Sequence, residues 1–138
     1  MPAILTPYLN FKGDAKAAGE FYQTVFGGEL TASTFGDFGM PVGDDEKDLI
    51  MHSQLTTPSD FTLMLADTPS HMEYKPGTNF SVSLSGGPDS KDELTGYYDK
   101  LVDGGTATEP LATAPWGDTF GMAVDKFGIS WLVNIAGQ

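Results

Sequence analysis

The chain has 138 residues, 40% hydrophobic and 12% aromatic, which fits one compact domain or two small modules sharing a core. Nineteen acids face seven lysines with no arginine, a net charge of -12; this repels nucleic acid and anionic lipid and removes the bidentate fork that grips phosphate or carboxylate. No cysteine is present, no apolar run approaches the ~20 residues of a membrane span, and Met1 to Pro7 show no secretory pattern, so disulfides and thiolate chemistry are excluded and a cytoplasmic location is expected.

In chain order, Ile4 to Phe11 is rich in strand formers, with Pro7 suited to an edge. Asp14 is the expected N-cap of a helix over Ala15 to Phe26, where Ala18, Phe21, Tyr22 and Val25 form one apolar stripe. Gly27-Gly28 ends that helix. Glu29 to Phe35 reads as a strand, and Gly36 to Asp48 as a glycine- and acid-rich loop. Leu49 to Leu55 and Phe61 to Ala66 form a hairpin around a turn containing Pro58. Asp67 to Thr78 reads as a linker.

The order then recurs. Asn79 to Ser85 alternates, with Phe80, Val82 and Leu84 on one face and Ser81, Ser83 and Ser85 on the other. Ser90 and Glu93 have capping-box spacing. Leu94, Tyr97, Tyr98, Leu101 and Val102 make a second helical stripe, ended by Gly104-Gly105. Thr106 to Thr113 is a strand made irregular by Pro110; Thr119 to Val124 and Ile129 to Asn134 are a closing hairpin. The halves match element by element, and such repetition is itself a fold signal. The expected class is α+β: two βαβββ modules, residues 1–66 and 79–138, joined by 67–78.

Three stretches, TPYLNFKGDAKAAGEFYQTVFGGEL, IMHSQL and WGDTFGMAVDKFGISWLVN, together resemble the PhnB-like branch of the vicinal oxygen chelate superfamily (glyoxalase/bleomycin resistance/dioxygenase). The resemblance runs from Thr6 to Asn134. It implies two curved half-barrel sheets, each with its helix outside, around a shared cleft, and often a homodimer. It also implies a small-molecule partner.

Many members of that superfamily hold a divalent metal through His, Glu or Gln on cleft-facing strands, where it acts as a Lewis acid. Here the expected positions fall on Thr6, Pro7 or Tyr8, on Asn79 to Ser83, and on Trp131 or Leu132, none of them typical ligands. Of the two histidines, His71 sits in the linker and His52 mid-strand. The expectation is therefore no standard metal and no cofactor, with a non-standard centre of His52, Asp118 and Gln54 as the alternative.

His52 alternates with Ile50 and Gln54, opposite Met51, Ser53 and Leu55. It reads either as acid, base or hydrogen-bond partner for a ligand, or as an imidazole satisfied by backbone. Trp116, Asp118 and Phe120 border the implied cleft; Trp116 could stack on a guest and Asp118 hold a cation, or both could serve packing and strand initiation. Tyr8 and Asn10 alternate along the first strand and read as cleft-facing or core. Gly86-Gly87-Pro88 matches neither a P-loop nor a dinucleotide fingerprint, which argues against a methyltransferase. No nucleophile elbow exists.

Two functions compete, with a third, a structural or regulatory partner protein acting through its dimer surface, ranked behind them. One is a binding protein for a cationic or aromatic small molecule in the inter-module cleft, without the standard metal. The other is a metal-dependent lyase, isomerase or dioxygenase with the non-standard centre.

Overall fold

The structure, a computed structural model, describes residues 3–39 and 41–137. Met1 and Pro2 of the N-terminal reading, Met40 of the expected loop and Gln138 of the second module lie outside the described residues. The chain divides into two units, Met1–Pro76 and Gly77–Gln138. Each repeats strand, helix and three strands, as the sequence predicts.

In the first unit, β1 (Tyr8–Phe11), α1 (Ala15–Phe26), β2 (Glu29–Thr34), β3 (Ile50–Thr56) and β4 (Thr62–Asp67) form a sheet in the order β1-β4-β3-β2. β1 runs parallel to β4, and the other pairs are antiparallel. The period of two sends Leu9, Phe11, Ser53, Leu55, Leu63 and Leu65 to one face, where all are buried. α1 covers that face with Ala15, Ala18, Tyr22, Val25 and Phe26. Burying a Leu, Val or Phe side chain contributes about 1.5–3 kcal/mol, so this packed layer is the main source of the unit's stability.

The second unit repeats the plan. β5 (Val82–Gly86), α2 (Lys91–Val102), β6 (Thr106–Thr113), β7 (Thr119–Val124) and β8 (Ser130–Ile135) give the order β5-β8-β7-β6. Its core holds Leu84, Leu94, Tyr97, Tyr98, Leu101, Ala123, Trp131, Val133 and Ile135. The Tyr98 hydroxyl donates to the carbonyls of Glu109, at 2.9 Å, and Met122, at 3.3 Å. That ties α2 to β6 and β7. Burial pushes this hydroxyl above its ordinary pKa.

The repetition extends to individual turns. In the β3–β4 hairpin, the Thr57 hydroxyl accepts from Phe61 N–H at 3.0 Å, and Asp60 adopts φ 65°. In the β7–β8 hairpin, Asp125 Oδ1 accepts from Phe127 and Ile129 N–H at 2.8 and 3.1 Å, and Gly128 adopts φ 89°. Thr57 and Asp125 therefore hold equivalent turns with different side chains. Each turn is approached by the second glycine after a helix. A Cβ on Gly28 would lie 2.8 Å from Thr57 Cα, and one on Gly105 2.9 Å from Asp125 Cα. This backbone proximity requires the second glycine of each pair, while the first, Gly27 or Gly104, takes a left-handed φ of 74° or 79°.

Several local expectations are corrected. Asp14 makes no side-chain cap bond. The start of α1 is held instead by Asp67, which belongs to β4 rather than to the linker. Its Oδ1 accepts from Gly13 N–H at 2.8 Å and Ala15 N–H at 3.0 Å, and its Oδ2 from Ile50 N–H at 3.0 Å. Ser90 makes no side-chain cap bond either, its backbone N–H donating to the Gly87 carbonyl, and the Glu93 carboxylate accepts from the Tyr97 hydroxyl. β5 starts at Val82, so Phe80 precedes the strand and is 64% exposed rather than packed under a helix. No helix among the described residues is long and apolar enough to cross a membrane.

Candidate functional site

With α1 on one face of the first sheet, the other face is open. Cross-strand partners share a face, so the register lists its residues. Tyr8 stands beside Met64, Met64 beside Gln54, and Gln54 beside Thr31. Asn10 stands beside Ala66, and His52 beside Ser33. Tyr8, Asn10, His52 and Gln54, which sequence reasoning singles out, thus lie on one surface.

Tyr8 and His52 are the closest pair. The Tyr8 hydroxyl lies 3.5 Å from His52 Nδ1, with ring centroids 6.0 Å apart. Gln54 Nε2 donates to Thr56 Oγ1 at 3.3 Å, which leaves one N–H and the amide oxygen for other partners. Among the described residues neither His52 Nε2 nor the Asn10 amide has a hydrogen-bond partner.

One detail of the His52 strand differs from the alternation expected. Ser33 faces His52 but Thr34 faces Ile50, so Met51 is an extra residue in β3. The bulge puts Ile50 into the core with Ser53 and Leu55, while His52 and Gln54 stay half-buried on the open face. The sequence pairing of Ile50 with His52 fails because period two does not cross a bulge.

The second unit presents the equivalent face with other chemistry. Register places Ser83 beside Leu132 and Leu132 beside Met122, and Ser85 beside Asn134 and Asn134 beside Phe120. Counting from the equivalent turns, Phe120 occupies the position of His52 and Met122 that of Gln54. Asp118 closes the end of this sheet. Its Oδ1 accepts from Gly137 N–H at 2.9 Å and its Oδ2 from the Asn134 amide at 3.3 Å. The Gly137 bond, then that from Asn134, hold its carboxyl below the usual range. Trp116 stands on the adjoining turn, 71% exposed.

These residues do not fit a divalent ion. The paired residues around His52 offer one imidazole, a phenol and two amides, and no carboxylate among them lies beside His52. Among the described residues, no three His, Asp or Glu side chains group in a way that could hold a metal. Asp118 belongs to no such group of three among the described residues. A protein-held divalent centre needs three or more such donors.

Sequence reasoning missed Asp67 and Asp125. Asp125 Oδ2 also accepts the Trp131 indole N–H at 2.8 Å. Their signal was a single carboxylate at the end of an apolar strand, followed in one case by Gly three residues on. Neither faces the open surface.

Comparison with known proteins follows the same lines. Residues 5–133 match the model of the Glyoxalase/Bleomycin resistance protein/Dioxygenase superfamily. The chain is 26% identical to Protein YjdN of Escherichia coli (strain K12), covering 97% of this chain and 96% of that one. The crystal structure of protein PA1353 from Pseudomonas aeruginosa matches with TM-score 0.84 and 36% identity, covering 99% of this chain and 100% of that one. The PhnB protein from Bacillus cereus matches with TM-score 0.75 and 23% identity, covering 97% of this chain and 100% of that one.

Proposed function

Because the chain belongs to the Glyoxalase/Bleomycin resistance protein/Dioxygenase superfamily, we propose that it binds a small organic molecule on the open faces of its sheets, without a resident divalent ion. The observation that carries this reading is the Tyr8–His52 pair. Both side chains reach an accessible face whose reverse side is sealed by α1. Polar groups left without protein partners on a rigid sheet are well suited to a ligand. The expected cation site at Asp118 is weaker, since that carboxylate stands in no group of three metal-ligating side chains among the described residues.

The metal-dependent lyase, isomerase or dioxygenase reading has no converging group of three His, Asp or Glu side chains behind it among the described residues. We also propose a homodimer, because Ile4 is 75% and Leu5 100% exposed, and a second copy would remove that apolar surface from water. A cytoplasmic location fits the lack of cysteine.

Thermal unfolding against a panel of aromatic and cationic compounds tests the binding. A compound at a hundred times its Kd adds about 2.7 kcal/mol to stability, and His52→Ala should reduce that gain. If no compound raises the transition of the wild type, the reading fails. Titration with Fe, Mn, Ni and Zn serves as the counter-test; tight stoichiometric binding would favour the metal reading.

A further inference from the structure

The open face of the first sheet is nearly free of charge, in a chain of nineteen acids and seven lysines. Its paired residues are Tyr8, Asn10, Thr31, Ser33, His52, Gln54, Thr56, Thr62, Met64 and Ala66, with Glu29 as the one carboxylate. Glu29 sits on edge strand β2 beside Thr56, at the end of the sheet away from His52. What remains is a set of neutral donors and acceptors beside two rings and a thioether.

We infer that this face selects an uncharged, planar heteroaromatic molecule carrying an adjacent hydrogen-bond donor and acceptor. The inference rests on the binding reading above and narrows it to a ligand class. Three features carry it. Among the paired residues of the face a charged guest finds no counter-ion beside His52, the nearby Asp37 carboxylate being bonded to Thr34 N–H at the end of β2, and desolvating its charge would go uncompensated. The Gln54 and Asn10 amides each offer a donor and an acceptor side by side, and the carbonyl and N–H of a lactam or amidine-like edge match that pattern. Tyr8, His52 and the Met64 sulfur supply ring-stacking and sulfur–aromatic contacts to a flat guest.

The second sheet sharpens the point. At the equivalent positions it carries Phe120 for His52, Met122 for Gln54 and Ser83 for Tyr8. Recognition of the polar edge therefore belongs to the first sheet. The substitutions His52→Phe and Gln54→Met copy side chains that the same fold already accepts at these places.

The test uses four two-ring probes of similar size: 2-quinolone, which is neutral with adjacent N–H and C=O; 2-methoxynaphthalene, which lacks the donor; N-methylquinolinium, a cation; and quinaldate, an anion. Binding is followed by amide and imidazole NMR shifts on the full chain. The expected result is that 2-quinolone shifts His52 and the Gln54 side-chain amide and binds at least tenfold more tightly than the other three. Gln54→Met should weaken it about tenfold, the loss of roughly one hydrogen bond's worth of affinity, while leaving 2-methoxynaphthalene unchanged. Equal or tighter binding of the cation or anion at this face overturns the ligand class but leaves the binding reading standing. If none of the four probes moves any resonance of the face, both are overturned.

Discussion

Replacing Asp67 by alanine should destabilise the protein more than any single change at the open face. The carboxylate is 5% exposed and accepts three backbone N–H bonds, from Gly13, Ala15 and Ile50. Hydrogen bonds to a charged group contribute about 1.5–3 kcal/mol each, but losses within one network do not add. Removing the acceptor also strands three buried backbone donors, each left unsatisfied at a cost of about 1–3 kcal/mol. We expect Asp67→Ala to lose about 3–5 kcal/mol. Asp67→Asn is the sharper probe. Its one oxygen can serve Gly13 and Ala15 together, since both bond to Oδ1, but its NH2 then opposes the Ile50 N–H. We expect that variant to lose about half as much. Urea unfolding at neutral pH measures both. Amide exchange should locate the damage at the start of α1 and of β3. A loss below about 1 kcal/mol for Asp67→Ala, with exchange at Gly13, Ala15 and Ile50 unchanged, would falsify the assignment.

Asp125→Ala should cost about 3 kcal/mol, since it frees two turn amides and the buried Trp131 indole; a red shift of tryptophan emission in the folded state checks that Trp131 has lost its setting. Gly105→Ala should lose about 1–3 kcal/mol, because the new Cβ would press on Asp125; an unchanged midpoint in urea would show that the backbone can yield there. The depressed Asp118 carboxyl contributes stability that is present above its ordinary value of 3.8 and lost as pH falls through the lower folded-state value. Asp118→Asn should therefore be less stable than wild type at pH 6, and the two melting curves should converge on acidification below pH 4. A constant gap from pH 6 to pH 2 refutes the linkage.

Local pattern carried most of the fold. α1 begins and ends where the stripe of Ala18, Tyr22 and Val25 and the glycines after Phe26 place it, and β6 and β7 match the stretches read as strands. These signals lie within a few residues of what they control. The expected caps failed for the opposite reason. Asp14 and Ser90 have the right spacing, but the group that holds α1 arrives from β4, 52 residues beyond Ala15, and no local rule reports it. The Met51 bulge was hidden in the same way, since it depends on the register with β2. At the candidate site, alternation was enough to put Tyr8 with Asn10 and His52 with Gln54. That the two pairs share one face follows from the β1–β4–β3 order, which depends on long-range pairing.

The connection across residues 35–49 has a practical use. Its counterpart in the second unit needs only residues 114–118 to join β6 to β7. The longer arm leaves the sheet at Phe35, returns at Leu49 through the Phe35–Leu49 backbone bond, and is clipped to Ser70 by Glu46. A peptide tag or an environment-sensitive dye grafted near Gly39 would thus sit on a tethered arm outside the strand ladder. Such a reporter would show capture of the proposed guest optically, with the open face of the sheet unaltered.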